Sequence, residues 1–415
     1  MKKLIAYLVC SWSLLSSSVV SASDIDVKQF LKEANRIGQT LHKNTQGKSL
    51  IEKLLFIEDF AQTHQNNPIA TEIIQQGLSV EYSFAGLHQK ALMTGDLNAK
   101  TNQNAVEDLR EFTAKNAVDE ILKHSDKHQI VMINEAHDRG QHRVLTYRLL
   151  SGLWQQGYRY FAAETLNSNI SSDLKEGIVG HNAGYYTREA LYAQLVMSAY
   201  KMGFEIIAYD NEIEAVLNTT EERETNAAFV INQKVFEKDP NAKIVIHVGY
   251  SHINEQSWLA SKLKDLTKLE TLTVDQTSRM EKSQVQFEHP TYQSVAKINA
   301  MNAPVVLTKG QNLWSSEPNN WDVSVIWPRT QYIGGRPSWA SLDRKTHRVG
   351  DDLCLKQYPC MVEVFRFNKE NEVPSDRVII SEKDEGKVVF LNSGKNIIIT
   401  RDKRGEVISK IKVDA

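Results

Sequence analysis

The stretch from Gln129 to Leu166 constrains this chain more than any other, because it spells out a strand, a helix and a second strand with a polar break after each strand. The apolar run Ile130 to Ile133 gives way to Asn134-Glu135-Ala136-His137-Asp138-Arg139-Gly140, which is too polar to continue a buried strand. Leu145, Leu149, Leu150, Leu153 and Trp154 then recur at the spacing of one apolar helical face, and Gly157 supplies a stop. A short strand, Tyr160 to Ala163, runs into Glu164. Ligands of open α/β sheets sit beyond the carboxyl ends of the strands, so two strands that each end in a carboxylate direct attention to that edge.

The same alternation continues downstream. A strand over Phe204 to Tyr209 ends at Asp210-Asn211-Glu212, the run Lys243 to Val248 leads into Gly249-Tyr250-Ser251-His252, and Thr271 to Val274 ends at Asp275. The pattern predicts an α/β fold with a largely parallel, doubly wound sheet. A loop from Asn167 to Tyr186 is long enough to suggest a substrate-facing segment or lid. Before the sheet, residues 23–127 carry helical periodicity, including Phe30, Leu31 and Ala34, then Leu54, Leu55 and Ile57, then Ala105, Leu109 and Phe112, and are expected to pack on the sheet as a helical lead-in. The α/β unit is assigned to 128–344. After it, turn-separated β segments over 345–415 form a small antiparallel appendage. Trp314, Trp321, Trp327 and Trp339 cluster with Arg329, Arg336 and Arg344 at the junction, where they either pack the two parts together or hold a sugar or aromatic ligand.

Lys2 and Lys3, the apolar run Leu4 to Leu15 and the small residues Val20-Ser21-Ala22 read as a cleaved bacterial signal peptide over residues 1–22. The apolar run is too short for a stable membrane anchor. The chain is therefore expected in the periplasm or outside the cell. There, Cys354 and Cys360 should form a disulfide. A formal net charge of −2 gives no reason to expect nucleic acid as a partner, which leaves a small-molecule or peptide ligand.

His137 follows Glu135 by two positions, and a histidine oriented by a carboxylate is the usual general base. His252 lies past Gly249, where backbone can approach a ligand, whereas His247 inside an apolar strand reads as a core histidine. Arg223 opens a helix and either pairs with neighbouring acids or clamps a developing anion. Two mechanisms fit. In one, His137 or His252 removes a proton, Glu135 and Glu164 orient, and Arg223 stabilises the anion. In the other, His137, His252 and Glu164 hold a divalent metal that makes hydroxide. His142, Asp210, Glu224 and Tyr250 are assigned to substrate contact. The chain has no G-x-S-x-G elbow, P-loop or dinucleotide fingerprint, which argues against a serine hydrolase, an NTPase and a nicotinamide enzyme.

Ile133 to Asp138 and Phe161 to Glu164, with Arg223-Glu224 and Val248 to His252, resemble the erythromycin esterase-like and ChaN-like superfamily, which also takes in the TraB and Tiki proteins. The resemblance covers roughly 128 to 275, with Asn134 standing where glycine is usual. It implies an α/β sheet with Glu135, His137, Glu164, Arg223 and His252 around one pocket. It also implies a choice among ester hydrolysis, metal-dependent peptide hydrolysis and haem binding. For haem, His181, Tyr185 and Tyr186 are the candidate axial ligands.

Overall fold

The computed structural model describes residues 27–210, 219–298, 303–350, 352–382 and 386–415. The expected signal peptide and the Asn211-Glu212 pair lie outside them. Helices α1 (Val27–Thr45), α2 (Leu50–Thr63), α3 (Pro68–Phe84) and α4 (His88–Gly95) come first, then β1 (Thr113–Asn116) and α5 (Ala117–Ser125). The expected strand–helix–strand unit follows as β2 (Ile130–Glu135), α6 (Gly140–Gln155) and β3 (Tyr160–Ala163). Next come α7 (Ile170–Lys175), α8 (Ala190–Met202), β4 (Glu205–Ile207), α9 (Thr220–Ile231), β5 (Ile244–Gly249), α10 (Leu259–Thr267) and β6 (Thr271–Asp275). Then α11 (Pro290–Ile298), β7 (Val305–Lys309), β8 (Asn312–Leu313) and β9 (Val323–Ile326) complete the sheet region.

The sheet runs β1-β7-β9-β6-β2-β5-β3-β4, with β8 on β7. From β9 to β4 the pairings are parallel, while β7 pairs antiparallel with both β9 and β1. Because strand side chains alternate, β2 sends Val131 and Ile133 into one core with α5, α6 and α8, and Ile130 and Met132 into another with α9 and α10. Helices on both faces make the sheet doubly wound, as the sequence predicts. On α6 the leucines Leu145, Leu149, Leu150 and Leu153 are fully buried, each contributing about 1.5–3 kcal/mol. The helix ends at Gln156, and Gly157 takes the left-handed φ of 90° that a following stop residue needs.

Two expectations from periodicity change. Residues 101–109 form no helix, and Leu109 and Phe112 instead pack beside Tyr292 and Val305 at the sheet edge. The Asn167–Tyr186 segment contains α7, buries Ile170 and Leu174, and closes through a Leu166–Gly184 bridge, so it is packed structure rather than an open loop.

Beyond the sheet, β10 (Tyr332–Ile333) and β11 (Arg336–Pro337) form a hairpin, and β12 (Lys345–Arg348) pairs with β15 (Val388–Leu391). A four-stranded antiparallel sheet is ordered β14 (Asp376–Ile380), β13 (Cys360–Arg366), β16 (Lys395–Arg401), β17 (Val407–Asp414). Cys354 and Cys360 are joined in a disulfide within its core. Of the lead-in, β1 joins the main sheet and Ala117, Ile121 and Phe84 pack in its core, while the cluster of α1–α4 with Ile37, Ile57 and Ile74 is completed by Met361 and Ile379 of this C-terminal sheet. Arg336 forms a buried ion pair with Asp376 (2.7 Å), and Arg344 donates to the Ser375 carbonyl, so these junction arginines bind the appendage. Among the described residues no helix is long and apolar enough to cross a membrane.

Candidate active site

Strand parity divides the chemistry between the two faces of the sheet. Glu135 shares a face with Val131 and Ile133, so its carboxylate points toward α6 and α8. There it accepts Nε and a terminal nitrogen of Arg143 (2.7 and 2.9 Å), Nδ1 of His137 (3.0 Å) and Nε2 of His247 (2.9 Å). A carboxylate offers about four lone-pair sites, and all are used. Burial would raise the Glu135 pKa, but the Arg143 charge and the histidine hydrogen bonds hold it well below the usual carboxylate range. Arg143 also reaches Glu189 (2.9 Å), which caps α8 by accepting the Tyr192 amide. Saturated and ionised, Glu135 orients its partners and has no lone pair left to take a proton.

Glu164 follows Ala163 and has the parity of Ala162, so it faces α9. The next residue, Thr165, holds a left-handed φ of 62° that is strained for a β-branched side chain. One Glu164 oxygen accepts from Arg223 (2.9 Å) and lies 3.6 Å from Nε2 of His252; the other accepts the Gly249 amide (2.7 Å). Arg223 also grips Asp210 through two nitrogens (3.1 and 3.0 Å). His252 donates Nδ1–H to Glu224 (2.7 Å). Burial opposes charge on His252, but Glu224 and Glu164 push its pKa up to about 10. Burial likewise opposes ionisation of Glu164, yet the charges of His252, His137 and Arg223 hold it well below the usual range.

His137 joins the two shells. An ionised carboxylate can only accept, so Nδ1 of His137 donates to Glu135 and Nε2 is left as the position for proton transfer. That atom lies 3.9 Å from the Glu164 carboxylate, beyond direct hydrogen bonding. The ring is stacked flat on Tyr186 at 4.0 Å and met edge-on by Tyr250 at 5.4 Å. Gly249 leaves the room: a Cβ there would come within 2.4 Å of His137 Cε1.

The structure thus gathers Glu135, His137, Glu164, Arg223 and His252, with Asp210, Glu224 and Tyr250 around them. His142 departs from its expected contact role. Its ring is fully buried, its Nδ1 accepts the Ala136 amide at 2.9 Å, and burial pushes its pKa down to about 3, so it braces the turn after β2. Asp275 is also structural, accepting from Asn134, Thr277 and Ser278 and tying β6 to β2. Arg143, Glu189 and the stacking role of Tyr186 were not anticipated. Their signal was a charge at or near the start of an apolar helix, next to Val144-Leu145 and Ala190-Leu191. His247 is the core histidine expected, yet it also holds Glu135.

Among the described residues no group of three or more His, Cys, Asp or Glu side chains is arranged to hold a metal ion. In the expected set, Nε2 of His137 and of His252 lie 3.9 and 3.6 Å from Glu164, but both Glu164 oxygens are engaged by Arg223 and the Gly249 amide and His252 is bound between carboxylates. The candidate haem ligands have these surroundings. Tyr186 lies against His137, Tyr185 is covered by Arg188 at 4.5 Å, and His181 is exposed.

No known family profile and no curated protein matches the chain. Among solved structures it is similar to the type III effector HopBA1, at 13% identity and a TM-score of 0.30 over 45% of this chain and 94% of that one. It is also similar to ChaN of Campylobacter jejuni, whose structure is described with cofacial heme binding, at 10% identity and a TM-score of 0.30 over 54% of this chain and 99% of that one.

Proposed function

We propose that this is an exported hydrolase that cleaves an ester or amide bond in a small-molecule or peptide substrate. The observation that carries this reading is His137, whose Nδ1 is locked on a saturated Glu135 while its Nε2 faces a carboxylate flanked by two cations. In this reading Nε2 of His137 takes a proton from water as the oxygen attacks the carbonyl. Arg223 and protonated His252 stabilise the oxyanion, and the same proton passes to the leaving group. Glu164 positions the two cations. The Cys354–Cys360 disulfide supports an oxidising compartment.

The test is hydrolysis of a panel of p-nitrophenyl esters and peptide p-nitroanilides by the native protein and by His137→Gln. Loss of general-base action should cost about 10²–10⁴-fold with the melting temperature retained. Hydrolysis unchanged by His137→Gln overturns the proposal. So does a Soret shift on haemin titration that depends on His137, because it would reassign the site to ligand binding.

A further inference from the structure

Four consecutive residues, Tyr186 to Glu189, form one 3-10 turn that leads into α8. Tyr186 lays its ring flat on His137, with the two planes 14° apart, and three residues later Glu189 accepts Arg143 at 2.9 Å. His137 and Arg143 both bind Glu135, so this turn sets where the imidazole and its carboxylate stand. The turn itself is packed. Tyr186, Thr187 and Glu189 are buried, and the Thr187 hydroxyl donates to the Gly184 carbonyl at 3.0 Å.

The turn is held from two sides. From the sheet, the Thr165 hydroxyl accepts the Tyr186 amide at 3.3 Å. From the lead-in helices, Glu81 of α3 accepts Arg188 at 3.3 Å. The Arg188 guanidinium also lies against two rings, 4.8 Å from Phe84 of α3 and 4.5 Å from Tyr185, and its Nε donates to the Tyr185 carbonyl at 3.2 Å. A planar guanidinium can stack on aromatic faces while its fork reaches a carboxylate, which an ammonium cannot do. Tyr185 meets Phe84 and Tyr186 edge-on at 5.6 and 5.2 Å. Contact therefore runs from α3 through Arg188, Tyr185 and Tyr186 to His137.

Glu81 has a second cation, Lys53 of α2. Burial opposes charge on Glu81, yet Lys53 and Arg188 hold its pKa below the ordinary value. Lys53 alone already supplies a counter-charge for this buried carboxylate within the lead-in helices, and removing Arg188 does not strand it. What Arg188 adds is a link from that carboxylate to the turn behind His137.

We infer that Arg188 is a positioning residue for His137: by docking its turn on α3 it fixes the Tyr186 ring against the imidazole and the Glu189 carboxylate against Arg143. The effect on turnover rests on the hydrolase reading, whereas the placement of the imidazole does not. NMR of the intact protein labelled with ¹³C at histidine Cε1 tests it, with the His137 resonance identified by its loss in His137→Gln. Face-on stacking shields that C–H, so a loosened Tyr186 should move the resonance downfield in Arg188→Gln. Phe84→Leu changes no charge and should move it the same way. Lys53→Gln removes the other cation of Glu81 but lies off the turn, and should leave the resonance in place. On the hydrolase reading, kcat should fall about ten- to a hundredfold in Arg188→Gln with KM kept, the cost of a misplaced base. A resonance unmoved in Arg188→Gln, or moved as far in Lys53→Gln, overturns the assignment. A moved resonance with turnover unchanged upholds it and counts instead against His137 as the base.

Discussion

A Cβ on Gly249 would lie 2.4 Å from Cε1 of His137 and 2.9 Å from a carboxylate oxygen of Glu164. The smallest substitution at this strand end would therefore strike both the proposed base and the carboxylate that its own amide holds. Gly249→Ala is expected to destabilise the fold by about 1–3 kcal/mol through overpacking. It should lower hydrolysis by more than the lost folded fraction explains. Denaturant titration beside turnover separates the two, and a variant that keeps full specific activity would show that the His137–Glu164 spacing is not needed.

Arg143 is fully buried between Glu135 and Glu189. Arg143→Met leaves two carboxylates without their cation, and removing one partner of a buried pair costs about 3–5 kcal/mol. Because domains hold only about 5–15 kcal/mol in total, the variant should unfold at much lower denaturant. Arg143→Lys should recover only part of the loss, since an ammonium cannot match the two-nitrogen contact to Glu135. A Lys variant as stable as the native protein would contradict the geometry.

Stability should fall on the alkaline side in a way that depends on His252. Its pKa is raised from 6.5 to about 10, so the stabilisation it contributes is complete below about pH 6.5 and is lost as the pH climbs through about 10. Glu135 and Glu164 have the opposite sign. Their pKa values lie well below 4.5, so their contribution is present above that pH and disappears on acidification. Melting curves across this range should show an alkaline slope in the native protein that is flatter in His252→Gln. Equal slopes would mean that the imidazolium is not held in the folded state.

Thiol counting checks both the disulfide and the leader. Of the three cysteines, Cys354 and Cys360 are bonded. Alkylation of protein recovered from the cell envelope, unfolded without reductant, should modify no cysteine if residues 1–22 have been removed. It should modify only Cys10 if they remain, and mass spectrometry reads the difference. Labelling of Cys354 would count against an oxidising location.

The β2–α6–β3 unit and the run of polar strand ends were legible because both depend on local periodicity, which a single sequence displays. So was the edge on which Glu135, Glu164, Asp210 and His252 would meet. The shells around them were not, because Arg143 reaches Glu189 across 46 positions and His247 reaches Glu135 across 112. Such partners follow from how helices settle on a sheet, and no spacing encodes that. Helical offsets misled at Ala105, Leu109 and Phe112, where Ala105 is exposed and only Leu109 and Phe112 anchor an irregular segment to the sheet edge. Trp339 and Arg336 were placed correctly at a junction, but only the fold shows that one closes on His88 and the other on Asp376.

The meeting of α1–α4 with β13 and β14 sets an order of events. Met361 and Ile379 complete the core of helices that begin at Val27, and Arg377 donates to the Phe84 carbonyl at 3.1 Å. Synthesis runs from the first residue to the last, so these helices leave the ribosome with an apolar flank that nothing nearby can cover. They must wait through some three hundred further residues, roughly fifteen to sixty seconds at ordinary elongation rates, before their partner strands exist. A chain tied together at its two ends in this way reaches its native state only after it has been made in full, and a nascent chain stalled before β13 would be a client for a chaperone.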